Sequence, residues 1–125
     1  MAEYVDMPWA SSTSMSGAVS HGGLIWTSGH VGVDAGAEDI DFGMQCEVAL
    51  QRLLESVEKA GGSLETILRV GAYLDSMDDF ERWDAVYRRI IDRSPMPVRT
   101  TVAVGSLISP MRIEVECTAF VRDPK

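Results

Sequence analysis

Apolar residues recur at two spacings along this chain, and each change of spacing marks an element. After a Gly22-Gly23 turn, the β-favouring Ile25, Trp26, Thr27, Val31 and Val33 predict a strand that contains Ser28 and Gly29. A glycine inside a strand marks a bulge or a close backbone approach. From Asp41 the spacing lengthens. Cys46, Leu50, Leu53, Leu54 and Val57 stand at helical intervals, with Gln51, Arg52, Glu55 and Glu58 between them, and Gly61-Gly62 stops the helix. "LETILRVGAYLDS" returns to alternation, setting Leu68, Val70, Ala72 and Leu74 against Arg69, Gly71 and Tyr73. "DDFERWDAVYRRIIDRS" opens with acids and closes with arginines, with Phe80, Trp83, Val86, Tyr87 and Ile90 on one side. It predicts a second helix, ended by "SPMP".

Two alternating segments follow. In "PVRTTVAVG" Val98, Thr100, Val102 and Val104 make the apolar face and Arg99, Thr101 and Ala103 the other. In "RIEVECTAFV" Ile113, Val115, Cys117, Ala119 and Val121 oppose Glu114, Glu116, Thr118 and Phe120. If these strands pair, one guanidinium and two carboxylates share a surface. The order β-β-α-β-α-β-β predicts an α+β fold, an antiparallel or mixed sheet with two helices on one face. The face left over carries Arg69, Tyr73, Arg99, Thr101, Glu114, Glu116, Thr118 and Phe120. Association of subunits would cover it.

Composition narrows the functions. A chain of 125 residues, 46% hydrophobic, is one domain's worth, so residues 1–125 are read as a single domain. A net charge of -8, with only 11 Lys and Arg scattered along the chain, argues against a nucleic-acid partner. "MAEYVDMPWASS" lacks a basic start and an apolar run, and no stretch has the length of a membrane span. The expectation is a soluble, cytoplasmic protein. Cys46 and Cys117 fall on apolar faces and read as reduced core residues. His21 and His30 have no third ligand at metal spacing, and the acidic loop "VDAGAEDID" lacks the ligand order of a calcium loop, so no metal site is expected.

With these residues in view, "TSG" after the early strand, "VGAYLDSMDDFERWDAVY", and "PVRTTVAV" with "RIEVECTAFV" resemble the Rid (YjgF, reactive intermediate deaminase) family over roughly residues 13–122. The resemblance implies a chorismate-mutase-like homotrimer with clefts between subunits. It also implies hydrolysis of small carboxylate imines and enamines, such as 2-aminoacrylate, to 2-oxo acids and ammonia, with no cofactor. By the same resemblance Arg99 clamps the substrate carboxylate, Glu114 holds the attacking water, and Thr101 contributes its main chain where the family usually has cysteine. Ser28 lines the cleft.

Two departures bear on specificity. Met15 stands where the family often has a tyrosine, and Asp84 where many members have asparagine. A carboxylate at position 84 beside the substrate would repel a second acidic group, so dicarboxylic imines are expected to be poor substrates. The 33–42 loop looks shorter than usual. Blander readings stand beside these. Arg99 can pair structurally with Glu114 or Glu116, Ser28 lacks the His and Asp partners of a nucleophile, and His30 reads as a satisfied histidine. The alternative function is a non-catalytic protein of the same fold that binds a carboxylate metabolite or a partner. The endoribonuclease activity sometimes attached to the family sits poorly with the negative charge.

Overall fold

The computed structural model describes residues 1–9 and 14–122. Of the Ser-rich stretch at 11–17, residues 11–13 therefore lie outside the described residues. Asp41 caps the first helix by accepting a hydrogen bond from the Met44 amide at 3.3 Å. Helix α1 runs Phe42–Lys59, and Gly61, at φ 101°, takes the chain out of it. Its inward stripe of Phe42, Cys46, Ala49, Leu50, Leu53 and Val57 is buried. Helix α2 (Phe80–Ile90) packs beside it and buries Trp83 and Tyr87, whose rings are 5.3 Å apart.

The strands β1 (Glu3–Val5), β2 (Ala18–His21), β3 (Leu24–Thr27), β4 (His30–Val31), β5 (Ile67–Leu74), β6 (Val98–Ala103) and β7 (Ile113–Phe120) form one sheet. Its order is β1-β2-β3-β7-β5-β6, and β4 pairs with β7 beyond the end of β3. Only β5 and β6 run parallel, joined by the α2 crossover. The expected fold, a mixed sheet with two helices, is the one observed. Gly22 and Gly23, at φ 60° and 82°, make the two-residue turn between β2 and β3 that needs both residues left-handed.

Four local expectations change. The early strand is two strands, broken at Ser28-Gly29, where the backbone passes so near the Glu114 carboxylate that a Cβ on Gly29 would collide with it. Strand β1 was not anticipated, three residues being too few to display a period. A bulge between Ile67 and Arg69 turns Leu68 outward, leaving it 44% exposed while Ile67 is buried.

The fourth change matters most. Strands β6 and β7 do not pair, because β5 lies between them. Register sets Arg99 beside Val70 and Thr101 beside Ala72, both buried under the helices. Arg99 and Thr101 therefore face α2, while Val98 and Val102 stand on the open face. Glu114 is registered with Tyr73 and also belongs to the open face. The shared Arg99–Glu114 surface does not exist within one chain. The apolar-face rule failed at β6 because an edge strand over a helix can bury an arginine stem on aromatic rings and leave valines for a different cover.

Candidate active site

Six side chains were singled out from the sequence, and the structure sorts them into separate neighbourhoods. At the β6 edge, Arg99 Nη1 donates to Asp84 Oδ1 at 2.7 Å, and its guanidinium lies 4.7 Å from the Tyr87 ring centre and 5.6 Å from that of Phe80. Asp84 also pairs with Arg88, Nε to Oδ2 at 3.1 Å. One carboxylate is thus shared by two guanidinium groups. The Thr101 hydroxyl accepts from the Trp83 indole N–H at 3.1 Å, so its side chain is committed to supporting α2. Because β6 is an edge strand, part of its main chain has no strand partner.

The β4 edge holds a cleft of about 490 Å³. Glu114 and Gly29 border it, with Trp9, Met15, Ile108 and Met111 as apolar walls and Arg52 and Asp34 as its other charged groups. Burial pushes the Glu114 carboxyl above the usual carboxylate range, and the neighbouring charge of Glu116 adds to the shift. A carboxyl so placed can accept a proton or hold a water. The Ser28 hydroxyl points elsewhere, donating to the Ser16 carbonyl at 2.5 Å, while its neighbour Gly29 provides the bare backbone beside Glu114.

Other candidate groups resolve as structural. His30 is buried, with Nδ1 2.7 Å from the Ser28 carbonyl and Nε2 2.7 Å from Ser56 Oγ, and burial lowers its pKa. It is the satisfied histidine expected from the sequence. Cys46 and Cys117 are free and buried, and burial pushes both thiols up to about 12. Tyr73 donates to Glu116, which occupies Glu116 on the open face beside Glu114. No cluster of potential metal ligands occurs among the described residues.

Gln45, fully buried on α1, fixes the cleft's outer wall. Its Nε2 donates to Asp39 Oδ1 and to the Pro110 carbonyl, both at 3.1 Å, and its Oε1 accepts from the Arg112 amide at 2.9 Å. One amide thus ties the 34–41 and 105–112 loops to the helix. Gln45→Leu leaves the half-buried Pro110 carbonyl and Arg112 amide unpaired and is expected to cost about 1–3 kcal/mol in urea unfolding. A loss below about 0.5 kcal/mol would mean that water replaces the amide. Neither Gln45 nor Arg52 stood out in the sequence, since both occupy positions of an amphipathic helix that read as ordinary polar surface.

The fold and the sequence have counterparts. Protein mmf2, mitochondrial, of Schizosaccharomyces pombe is 37% identical over 108 residues, 82% of this chain and 83% of that protein. A 2-iminobutanoate/2-iminopropanoate deaminase of Dermatophagoides farinae is 26% identical over 109 residues, 85% of this chain and 84% of that one. The crystal structure of the YjgF gene product from E. coli superposes with a TM-score of 0.86 at 25% identity, covering 96% of this chain and 99% of that one. The mitochondrial designation of mmf2 overturns the expectation of a cytoplasmic protein, which rested on the N-terminal composition and on the lack of a stretch of membrane-span length. No helix among the described residues is long and apolar enough to cross a membrane. The sequence profile described as endoribonuclease L-PSP matches residues 7–121, and the chain belongs to that family, the Rid or YjgF proteins.

Proposed function

We propose that this protein is a deaminase that hydrolyses carboxylate imines in a cleft completed by a second copy of the chain, within a closed homotrimer. The observation that carries the reading is Glu114, a half-buried carboxyl of raised pKa beside bare backbone in an apolar cleft. Glu114 takes a proton from its held water as the oxygen adds to the carbon of the protonated imine and passes that proton to the nitrogen of the carbinolamine. The carbon–nitrogen bond then breaks, nitrogen leaves with the electron pair as ammonia, and the remaining hydroxyl proton is lost as the carbonyl forms. The product is a 2-oxo acid. A protonated imine is already electrophilic, so positioning and one proton acceptor suffice. Within this reading Arg99 anchors the substrate carboxylate, the Thr101 main chain and Ser28 shape the cleft, and Met15 and Asp84 adjust which side chain fits.

The split between neighbourhoods supports the assembly. Arg99 is on the β6 edge and Glu114 borders the β4 edge, so setting one edge of a copy against the opposite edge of the next is a head-to-tail contact. Head-to-tail contacts that close make rings. Leu24, Trp26, Val98, Val102 and Phe120 leave the open face partly apolar and in need of cover. The deaminase named among the relatives supports the chemistry, and mmf2 supports a mitochondrial setting. The test is imine loss in the presence of protein, with imines made in situ by an amino-acid oxidase. Acceleration over the protein-free control is expected, and equal rates would defeat the reading.

The Arg99–Asp84 ion pair favours the second reading, a non-catalytic binding protein, because the anchor already holds an internal carboxylate. Asp84→Asn separates the two. If Arg99 anchors substrate, removing its competitor should tighten carboxylate binding about three- to tenfold, the worth of a partly exposed ion pair. On imines kcat/KM should rise with it. Tighter binding with no turnover in either protein would favour the non-catalytic reading.

A further inference from the structure

Among the described residues, Arg52 is the one lysine or arginine that lines the Glu114 cleft. Asp84, by contrast, is paired with both Arg99 and Arg88. Arg52 projects from α1 into the cleft wall with its side chain 21% exposed. One nitrogen, Nη1, donates to the Val31 carbonyl at 2.9 Å. Its ionic partner, Asp34, stands 3.5 Å away on a loop with its side chain 74% exposed. The guanidinium lies 5.5 Å from the Trp9 ring centre. A guanidinium has five N–H donors, and these contacts leave several free. Trp9, in the same wall, has a buried indole N–H with no acceptor among the described residues.

We propose that Arg52 is the anchor for a second carboxylate of the substrate, so that the preferred imines are diacids whose second carboxylate ends an apolar chain. The proposal rests on the deaminase reading for the imine end of the molecule. Met15, Ile108 and Met111 supply the apolar stretch, Glu114 lies at the reacting end, and Arg52 receives the far carboxylate. Asp34, loosely held and largely in water, yields its place to the ligand. Strand pairing sets Val31 opposite Glu114, which brings the carbonyl bound by Arg52 close to the Glu114 backbone. The two ends of the ligand therefore fall within one cleft.

The experiment compares imines generated from 2-aminoadipate and from norleucine, which have chains of equal length, and in parallel measures binding of adipate and hexanoate by calorimetry. Wild type should favour the diacid by about tenfold in kcat/KM and in affinity, the worth of one charge-assisted pair. Arg52→Gln should remove most of that preference and Arg52→Lys only part of it. Asp34→Asn, a change at an exposed side chain, should increase it. A wild type that prefers norleucine imine and hexanoate overturns the proposal. So does a loss in Arg52→Gln that falls equally on both ligands, because Arg52 then serves only to tie Val31 to α1. If no imine is hydrolysed, the deaminase reading fails. The calorimetric preference and its response to Arg52→Gln and Asp34→Asn then still decide the subsite.

Discussion

Arg99→Ala is expected to lower kcat/KM on carboxylate imines by about 10²–10³-fold, the worth of a buried, forked guanidinium–carboxylate contact. Arg99→Lys should recover only part, since an ammonium cannot present two parallel donors to one carboxylate. The loss has to be separated from a loss of fold. Removing Arg99 takes a cation from above Tyr87 and Phe80 and leaves Asp84 with Arg88 alone. Those changes should cost stability by about 1–3 kcal/mol, within the reach of two cation–π contacts and one partly exposed ion pair. The variant is expected to stay folded at room temperature, which its circular dichroism spectrum and thermal transition will report. Near-normal turnover in Arg99→Ala would remove Arg99 as anchor and take the proposed mechanism with it.

Long, regular segments were the legible part of this chain. Helix α1 could be read from Cys46 to Val57 because each apolar residue there fills one continuous core, and its ends carried an aspartate cap and a glycine exit. Helix α2 announced itself in the same way. The sheet was legible as to its strands but not as to their neighbours, because alternation gives the two faces of a strand and is silent on what lies beside it. At β6 even the faces came out reversed. Val98 and Val102 look like core when the chain is read alone, yet they stand on the open face, and Arg99 lies over aromatic rings. A surface prepared for another subunit is apolar for the same physical reason that a core is. A single sequence does not distinguish the two.

The candidate site divides along the same line. Glu114 and Arg99 were found because a charge in a strand is conspicuous, and the resemblance to a family assigned them roles. Arg52 and Gln45 were passed over because a charged or amide side chain on a helix is ordinary until the fold shows a loop or a cleft in front of it. Asp84 stood out as a departure from the family pattern, but its two arginine partners, at positions 88 and 99, were not legible, because alternation and helical spacing do not say which charges a fold brings together.

Glu114→Gln carries the last prediction. If Glu114 holds the attacking water, the variant should lose about 10²–10³-fold in turnover while binding a saturated carboxylate nearly as well as wild type, since the lost interaction matters mainly in the attack step. Its fold should not suffer. Burial raises the Glu114 pKa in the native state, so the native chain holds its proton to higher pH than the unfolded chain does. Stability from this group is therefore present at acid pH and declines as pH rises from about 4.3 through the raised value. Glutamine, neutral throughout, should match wild type in acid and exceed it at neutral pH. Mixing then tests where the site lies. Arg99→Ala still carries Glu114, and Glu114→Gln still carries Arg99, so a cleft shared between copies is intact wherever the two variants meet in the right order. For random assembly from equal amounts into a closed head-to-tail ring, about one quarter of the sites are intact. Unfolding and refolding the two inactive proteins together should restore activity to about that fraction of wild type. Refolded together, they would stay inactive if both side chains had to come from one chain, and the open face would then need a different explanation.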